Sequence, residues 1–142
     1  MEKEDSIKSY FQVLGILQSI IAIGAIIGGV GMCMDPTGKT DGVTLKLLQE
    51  SPFNDYWYPG LFLLIVHGLG NIIAAYISFT KKHISGILGM ALGGILIFWV
   101  VMQFYWIGFN HDLQPAFLVF GTAEAFLGFL IQRDVQVHLS RK

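Results

Sequence analysis

The sequence predicts an all-α membrane protein, an antiparallel four-helix bundle with a short interfacial helix in its first outer loop. Three observations lead to this prediction. The chain contains four long stretches that are almost free of charge, only 13% of its 142 residues are charged, and its mean hydropathy is +0.60. An apolar helix of about 20 residues crosses a hydrocarbon core of roughly 30 Å, and soluble proteins average about 25% charged residues.

The four charge-poor stretches set the predicted spans. We place these spans at residues 10–34, 59–80, 84–107 and 115–132. The first and third contain no Asp, Glu, Lys, Arg or His, the second contains only His67, and the fourth contains only Glu124. Because the spans fill most of the chain, we expect residues 1–142 to form a single transmembrane domain.

The first span follows a polar segment, residues 1–9, which we expect to be a short frayed or interfacial arm. The apolar run is longer than the signal-peptide core of about 7–15 residues, so we expect it to be retained as a helix. Turn-forming residues 35–38 (Asp-Pro-Thr-Gly) end it. The spacing of Val and Leu over 43–50 predicts a short amphipathic helix on the outer leaflet, with a strand as the alternative.

The other three helices are delimited by prolines and by a tight connection. Pro59 suits the first turn of helix 2, and Pro115 opens helix 4, which we expect to end near Gln132. Only residues 81–83 separate the second span from the third, and a connection this short forces an antiparallel hairpin.

The distribution of basic residues predicts the orientation. Seven of the nine Lys and Arg residues lie in the termini and the 81–83 turn. By the positive-inside rule these segments face the cytoplasm, and the 35–58 loop and the 110–114 turn face outward. We therefore expect a multi-pass protein of the cell membrane with both termini inside.

Several classes of function lack support in the sequence. A single cysteine excludes an internal disulfide, and no pair of the four histidines has the spacing of metal ligands. Hydrolase, phosphate-loop and dinucleotide motifs do not occur, and no basic surface suits a nucleic acid. We therefore expect no cofactor, no metal, no nucleic-acid partner and no enzymatic activity.

Two pairs of glycines indicate close helix contact. Gly24 and Gly28 lie four residues apart in helix 1, and Gly89 and Gly93 do so in helix 3. Small residues permit the close backbone approach through which helices associate in lipid. Packing within one bundle is the first interpretation, and a homo-oligomer interface through these glycines is the second.

Ionisable and amide side chains inside the spans define the candidate site. Glu124 lies about nine residues into helix 4, roughly 13 Å below the outer edge, where a charge exposed to lipid costs at least about 2.5–3.5 kcal/mol. His67 lies about as deep in helix 2, Asn71 follows one turn later, and Gln103 is near the outer end of helix 3. These four residues predict a ligand-binding or proton-binding cluster in the outer half of the bundle. Gln18, in the inner half of helix 1, is interpreted as structural.

The chain resembles a group of small, uncharacterised bacterial four-helix integral membrane proteins, and in plan it is loosely similar to DoxX-like proteins. The likeness is carried by the 35–38 turn, by 51–56 (Ser-Pro-Phe-Asn-Asp-Tyr), by 59–61 (Pro-Gly-Leu), by Trp99, Gln103 and 107–108 (Ile-Gly) near the end of helix 3, and by 114–115 (Gln-Pro). It implies topology and no activity. Small multidrug exporters also have four spans, but their essential Glu is in the first helix, where this chain has none.

Three functions are compatible with these observations. The first is a non-enzymatic membrane protein that acts as a partner subunit of another membrane protein, or binds a lipid or other apolar molecule in a pocket inside the bundle. The second is a small proton-coupled transporter or channel that uses Glu124. The third, a membrane enzyme with His67 and Glu124 as base and acid, is weakest because no nucleophile, metal set or cofactor motif accompanies them.

Overall fold

The computed structural model describes residues 2–40, 42 and 44–139. Four helices are long and apolar enough to cross a membrane, and they confirm the predicted all-α bundle. The helices are α1 (Glu2–Met34), α2 (Trp57–Phe79), α3 (Ile84–Ile107) and α4 (Leu113–Leu139). We call the end that carries the Thr80–His83 connection the turn end, and the end that carries the 35–56 connection the loop end.

The helices form an up-and-down ring in chain order. α1 packs along the whole of α2 on one side and against α4 on the other, while α3 packs closely on α4 and more loosely on α2. Neighbours in sequence are therefore neighbours in space, and α2 and α4 occupy diagonal corners. Residues on α2 and α4 therefore contact one another directly only where long side chains reach across the centre of the bundle. Otherwise they are connected through residues of α1 or α3.

The structure extends two of the predicted helices. α3 has the predicted bounds, but α1 begins at Glu2 rather than at residue 10, and α4 runs from Leu113 to Leu139 rather than from 115 to 132. The turn-side parts of α1 and α4 pack on one another. Their shared core consists of Phe11, Leu14 and Ile131 inside the apolar stretches and Val135 beyond them, with Ile7 partly buried against it. This buried apolar seam keeps both helices regular where the overall composition is already polar.

The predicted glycine pairs all face other helices of the same chain. Gly89 and Gly93 lie against α4, where a Cβ added at Gly93 would come within 2.5 Å of the backbone of Ala125. Gly24 faces the ring of Phe117 on α4, and Gly28 faces α2. The structure therefore places these glycines at helix contacts within one bundle, as in the first interpretation, and a homo-oligomer interface through them stays a prediction.

The loop end is organised by Asp35, which follows α1. Its carboxylate accepts hydrogen bonds from the hydroxyls of Thr37 at 2.5 Å and Thr40 at 2.7 Å, and from both of their backbone N–H groups. These bonds, from Thr37 first and then Thr40, hold the pKa of the Asp35 carboxyl well below its usual range. The predicted interfacial helix is a single 3₁₀ turn, Leu45–Leu48, whose Leu48 is buried.

α2 is not a regular α-helix throughout, which the sequence analysis did not predict. Its ends, Trp57–Phe62 and Gly70–Phe79, are α-helical, but Leu63–Leu69 is π-helical. The widened turns are visible in the backbone, where the Gly70 N–H donates to the carbonyl oxygen of Ile65, five residues earlier. π-Helical turns are rare, and they are frequent at functional sites.

Candidate functional site

A chain of buried hydrogen bonds connects three of the four helices. The hydroxyl of Ser78 on α2 donates to Gln18 Oε1 on α1 at 2.8 Å, and Gln18 Nε2 donates to Glu124 Oε1 on α4 at 3.2 Å. All three side chains are fully buried. With the serine hydroxyl donating to the amide oxygen, the amide nitrogen of Gln18 faces the carboxyl group.

Glu124 faces the bundle interior, as the cost of placing a carboxylate in lipid requires. Its Oε1 accepts the bond from Gln18, but its Oε2 has no hydrogen-bond partner among the described residues. One carboxyl oxygen is therefore fixed by α1, and the other can still bind a proton or a small polar guest.

The space beside Glu124 is filled by α3. Gly121 and Gly128 lie one turn on either side of Glu124, and residues this small leave room beside it for another helix or a ligand. The structure places α3 in that room, since a Cβ added at Gly128 would come within 2.6 Å of the Gly86 carbonyl oxygen and the Met90 nitrogen. On this face of α4, the backbone of α3 therefore occupies the space that the glycines leave.

A second polar group lies on α2, towards the loop end. His67, in the π-helical segment, and Asn71, one turn later, are both fully buried. Neither ring nitrogen of His67 and neither polar atom of the Asn71 amide has a hydrogen-bond partner in the described part of the chain. The His67 ring instead contacts the Phe62 ring edge-on at 5.6 Å, and Phe62 in turn lies 4.5 Å from the ring of Trp99.

His67 and Glu124 are at different depths, which corrects the prediction that they are level. Gly68 lies beside Ile26 of α1, where an added Cβ would be 2.9 Å from Ile26 Cγ1, whereas Glu124 is bonded to Gln18. Eight residues of α1 separate these two levels, which is about 12 Å along the helix. Glu124 and its partners lie in the turn half of the bundle and not in the half next to the loop.

The prediction counted the depth of His67 and Glu124 from the first residue of each helix, but α2 and α4 do not begin at the same level. α2 begins beside Cys33, whose Sγ is 3.8 Å from the carbonyl oxygen of Trp57. α4 begins deeper, because Phe117, only four residues into it, already lies against Gly24. The first residue of α4 is therefore roughly 7 Å below that of α2.

Gln103 does not join the predicted cluster. It is only half-buried, and it lies seven residues beyond Leu96, which packs against Gly121. Since Glu124 is nearly one turn further towards the turn end, Gln103 and Glu124 are separated by roughly 15 Å along the bundle. The four predicted residues thus divide into His67 with Asn71, Glu124 with new partners, and Gln103 alone.

Two residues of this site were not among the predicted candidates. Gln18 was interpreted as structural, and Ser78 was not named as a candidate. The available signal was that a polar residue in a charge-poor span requires a partner, and the Gln18 amide can donate one hydrogen bond while it accepts another. The predicted depths alone could not pair Gln18 with Ser78 and Glu124, because each depth was counted from the end of its own helix and these ends lie at different levels.

The site holds no group of side chains that suits a metal ion. Among the described residues, no three His, Cys, Asp or Glu side chains come together. Comparison with protein-family models, with curated proteins and with solved structures found no match. The resemblance to small bacterial membrane proteins therefore stays an expectation from the sequence, and the site itself carries the functional argument.

Proposed function

We propose that this chain is a non-enzymatic protein of the bacterial cell membrane that moves protons, alone or coupled to another solute, through reversible protonation of Glu124. Both termini and the Thr80–His83 connection face the cytoplasm in this proposal. The observation that carries it is the bonded chain from Ser78 through Gln18 to Glu124, which ends at a buried carboxyl oxygen that has no hydrogen-bond partner among residues 2–40, 42 and 44–139.

The chemistry of a buried carboxyl group supports a proton rather than an apolar guest. A carboxylate in the bilayer interior costs several kcal/mol unless it is paired, and no Lys, Arg or His forms an ion pair with Glu124 in the described chain. Uptake of a proton removes that charge and converts one oxygen to a donor. The group can then alternate between two states that differ in charge, which is the requirement for carrying a proton.

The close packing of α3 also favours this function over the intrabundle lipid pocket, which sequence analysis placed first. A lipid chain or other apolar ligand needs volume next to Glu124, and the glycine contacts with α3 occupy it. A proton needs no volume. Gln18, which accepts from one helix and donates to another, holds the carboxyl group in a fixed position for exchange.

Proton movement in reconstituted vesicles tests the proposal. The purified chain is placed in liposomes that contain a pH-sensitive dye, and a potassium gradient with valinomycin sets the membrane potential. We expect the lumen to acidify in the wild type and to follow protein-free vesicles in Glu124→Gln, which keeps the shape of the side chain but cannot ionise. Glu50→Gln removes the same group from an exposed site in the loop, so it is the matched control and should behave as the wild type.

Equal acidification by the wild type and Glu124→Gln would refute the proposed role of Glu124. A wild-type chain that moves no protons under either polarity of the potential would refute the function itself. Folding of each variant is checked by circular dichroism and size-exclusion chromatography before reconstitution, so that loss of the bundle is distinguished from loss of the carboxyl group.

A second candidate function has one observation in its favour. The outward face of α4 carries an open apolar groove of about 440 Å³. It is lined by Leu118, Val119, Thr122, Ala123 and Phe126. A lipid chain or a helix of a partner membrane protein fits such a surface, which is the partner or lipid-binding function expected from the sequence. Native mass spectrometry from nanodiscs should then detect a retained species that Ala123→Trp, which fills the groove, removes.

A further inference from the structure

The π-helical part of α2 brings together polar groups that the helix itself does not satisfy. Leu63–Leu69 has hydrogen bonds to the fifth preceding residue, and His67 lies within it. A π-helical turn is wider than an α-helical one and displaces the residues on its face relative to the regular turns above and below. Such turns are found in α-helices chiefly where function requires them.

Five buried polar atoms near this segment have no hydrogen-bond partner in the described part of the chain. They are the two ring nitrogens of His67, the oxygen and nitrogen of the Asn71 amide, and the indole nitrogen of Trp99. His67 and Asn71 are fully buried, and the Phe62 ring lies between His67 and Trp99 in contact with both. Polar atoms left unsatisfied in the bilayer core are costly, so a guest must bind them.

The chemistry of these atoms specifies the guest. A neutral imidazole has one donor and one acceptor, the amide has both, and the indole has a donor only. A ligand for His67 and Asn71 must therefore donate and accept hydrogen bonds and be small enough for a close-packed bundle. Water meets these conditions, since buried waters typically make about three hydrogen bonds to otherwise unsatisfied groups.

We infer that the π-helical segment creates an internal hydrated site at His67 and Asn71, and that this site delivers to Glu124 the protons that it binds. The inference rests on the proposed function of Glu124 and adds the route by which the proton arrives. It gives the π-helical segment a role, because the widened turns hold the His67 ring in the bundle interior rather than against lipid.

The buried face of α2 leads from this site to Glu124. His67, Asn71 and Ser78 lie along it and are all fully buried, and Ser78 begins the bonded chain through Gln18 to the carboxyl group. The distance from His67 to Ser78 is eleven residues of helix, about 16 Å. Between Asn71 and Ser78 the face carries alanines rather than large side chains, as does the facing part of α1.

Each proton transfer in this route conserves charge. A protonated water on the loop side of His67 gives its proton to one ring nitrogen and becomes neutral. The imidazolium releases the proton on its other nitrogen to the next water, and the Glu124 carboxylate finally accepts it. The histidine returns to its neutral form, so the net result is one proton moved from the hydrated site to the carboxyl group.

No other charged group competes along this route. In the sequence, α1 has no Asp, Glu, Lys, Arg or His between Lys8 and Asp35, α3 has none at all, and α4 has only Glu124 before Arg133. The contacts known around His67 are the Phe62 ring on its own helix and, beside the adjacent Gly68, the side chain of Ile26 on α1. Among Asp, Glu, Lys, Arg and His, the sequence therefore has only His67 in the four spans between the loop end and Glu124.

Two measurements on the full chain test the inference. Solid-state NMR in lipid bilayers, with ¹⁵N-labelled histidine, measures magnetisation transfer from water to the His67 ring, and His67→Phe assigns that signal by its loss. Vesicle acidification then compares the wild type with His67→Phe and with Asn71→Leu, which has nearly the same shape and no polar atoms. His83→Phe makes the same substitution at an exposed site in the turn and is the matched control.

We expect water transfer to the His67 ring in the wild type and its loss in Asn71→Leu. We expect proton movement to fall by about 100-fold in His67→Phe, the lower range of what a positioned proton-transfer group contributes, and to be unchanged in His83→Phe. Asn71→Leu keeps the inference testable if His67→Phe does not fold.

The two proposals fail in different ways. A His67 ring without water transfer would overturn the hydrated site, whatever Glu124 does. Wild-type rates in both His67→Phe and Asn71→Leu, with loss of rate in Glu124→Gln, would overturn the route and leave the role of Glu124 intact. Water at His67 in a chain that moves no protons would support the hydrated site and refute the proposed function.

Discussion

The hydrogen bond from Ser78 to Gln18 allows a quantitative test of the site. Ser78→Ala removes the donor and leaves Gln18 Oε1 buried without a partner, while Gln18→Leu leaves both the Ser78 hydroxyl and the Glu124 carboxyl group unpartnered. An orphaned buried polar group costs about 1–3 kcal/mol, and interhelical bonds in membranes average about 0.6 and reach about 1.7 kcal/mol. We expect Ser78→Ala to lower the free energy of unfolding by about 1 kcal/mol and Gln18→Leu by about 2–3 kcal/mol.

The double variant separates this bond from other effects of the two substitutions. Because Gln18→Leu already removes the acceptor of Ser78, the double variant should cost less than the sum of the single ones, by about 0.6 to 1.7 kcal/mol. The free energies are measured by reversible unfolding in bicelles. Ser19→Ala is the control, since its hydroxyl bonds to Gly15 within α1. Effects of Ser78→Ala and Gln18→Leu that add to within about 0.3 kcal/mol would refute the proposed connection between α1 and α2.

Three further predictions concern packing, the loop and topology. Gly93→Ala should destabilise the bundle by about 1–3 kcal/mol, because its Cβ would meet the backbone of α4, whereas Gly94→Ala, with nothing within 4 Å of the added Cβ, should leave stability unchanged or raise it by up to about 1 kcal/mol in the same unfolding assay. Asp35→Asn should lower the protection factors against amide hydrogen exchange over 37–40, and in the wild type the same protection factors, corrected for the intrinsic exchange rate at each pH, should fall at acidic pH. The pKa of this carboxyl is depressed in the folded chain, so its contribution is complete above the ordinary Asp range and is lost below it. In a cysteine-free background, an impermeant maleimide should label Lys39→Cys in intact cells and Lys82→Cys only after permeabilisation, and the reverse pattern would contradict the proposed orientation.

The fold could be predicted from the sequence because lipid imposes a strong and simple constraint. Any chain that crosses the bilayer must satisfy its backbone internally, so a charge-free run of sufficient length has to be a helix. The four charge-poor runs therefore predicted all four spans, and the bounds predicted for α3 are the observed ones. It could not place the ends of α1 and α4, because these are fixed by a seam in which Phe11 and Val135 participate, and such a contact is not visible in composition.

The site could be predicted only in part, for reasons of register. The burial of Glu124 and His67 followed from the cost of a polar group in lipid. The separation of Glu124 and His67 along the bundle could not be predicted, because it depends on how far α4 is shifted along α1. The helix contacts that set this shift, such as Phe117 against Gly24, are not visible in the sequence. The π-helical segment around His67 was invisible for a similar reason, since no residue in Leu63–Leu69 signals a widened turn in the sequence.

The central claim is that Glu124 binds and releases a proton inside the bundle while Gln18 holds it, and infrared difference spectroscopy tests this claim most directly. The account predicts a carbonyl band of a protonated carboxyl group that appears and disappears with pH in the bilayer-embedded wild type. The band should be absent in Glu124→Gln and shifted in frequency in Gln18→Leu, where its hydrogen bond is gone. A pH-dependent spectrum that is identical in the wild type and Glu124→Gln would contradict the account.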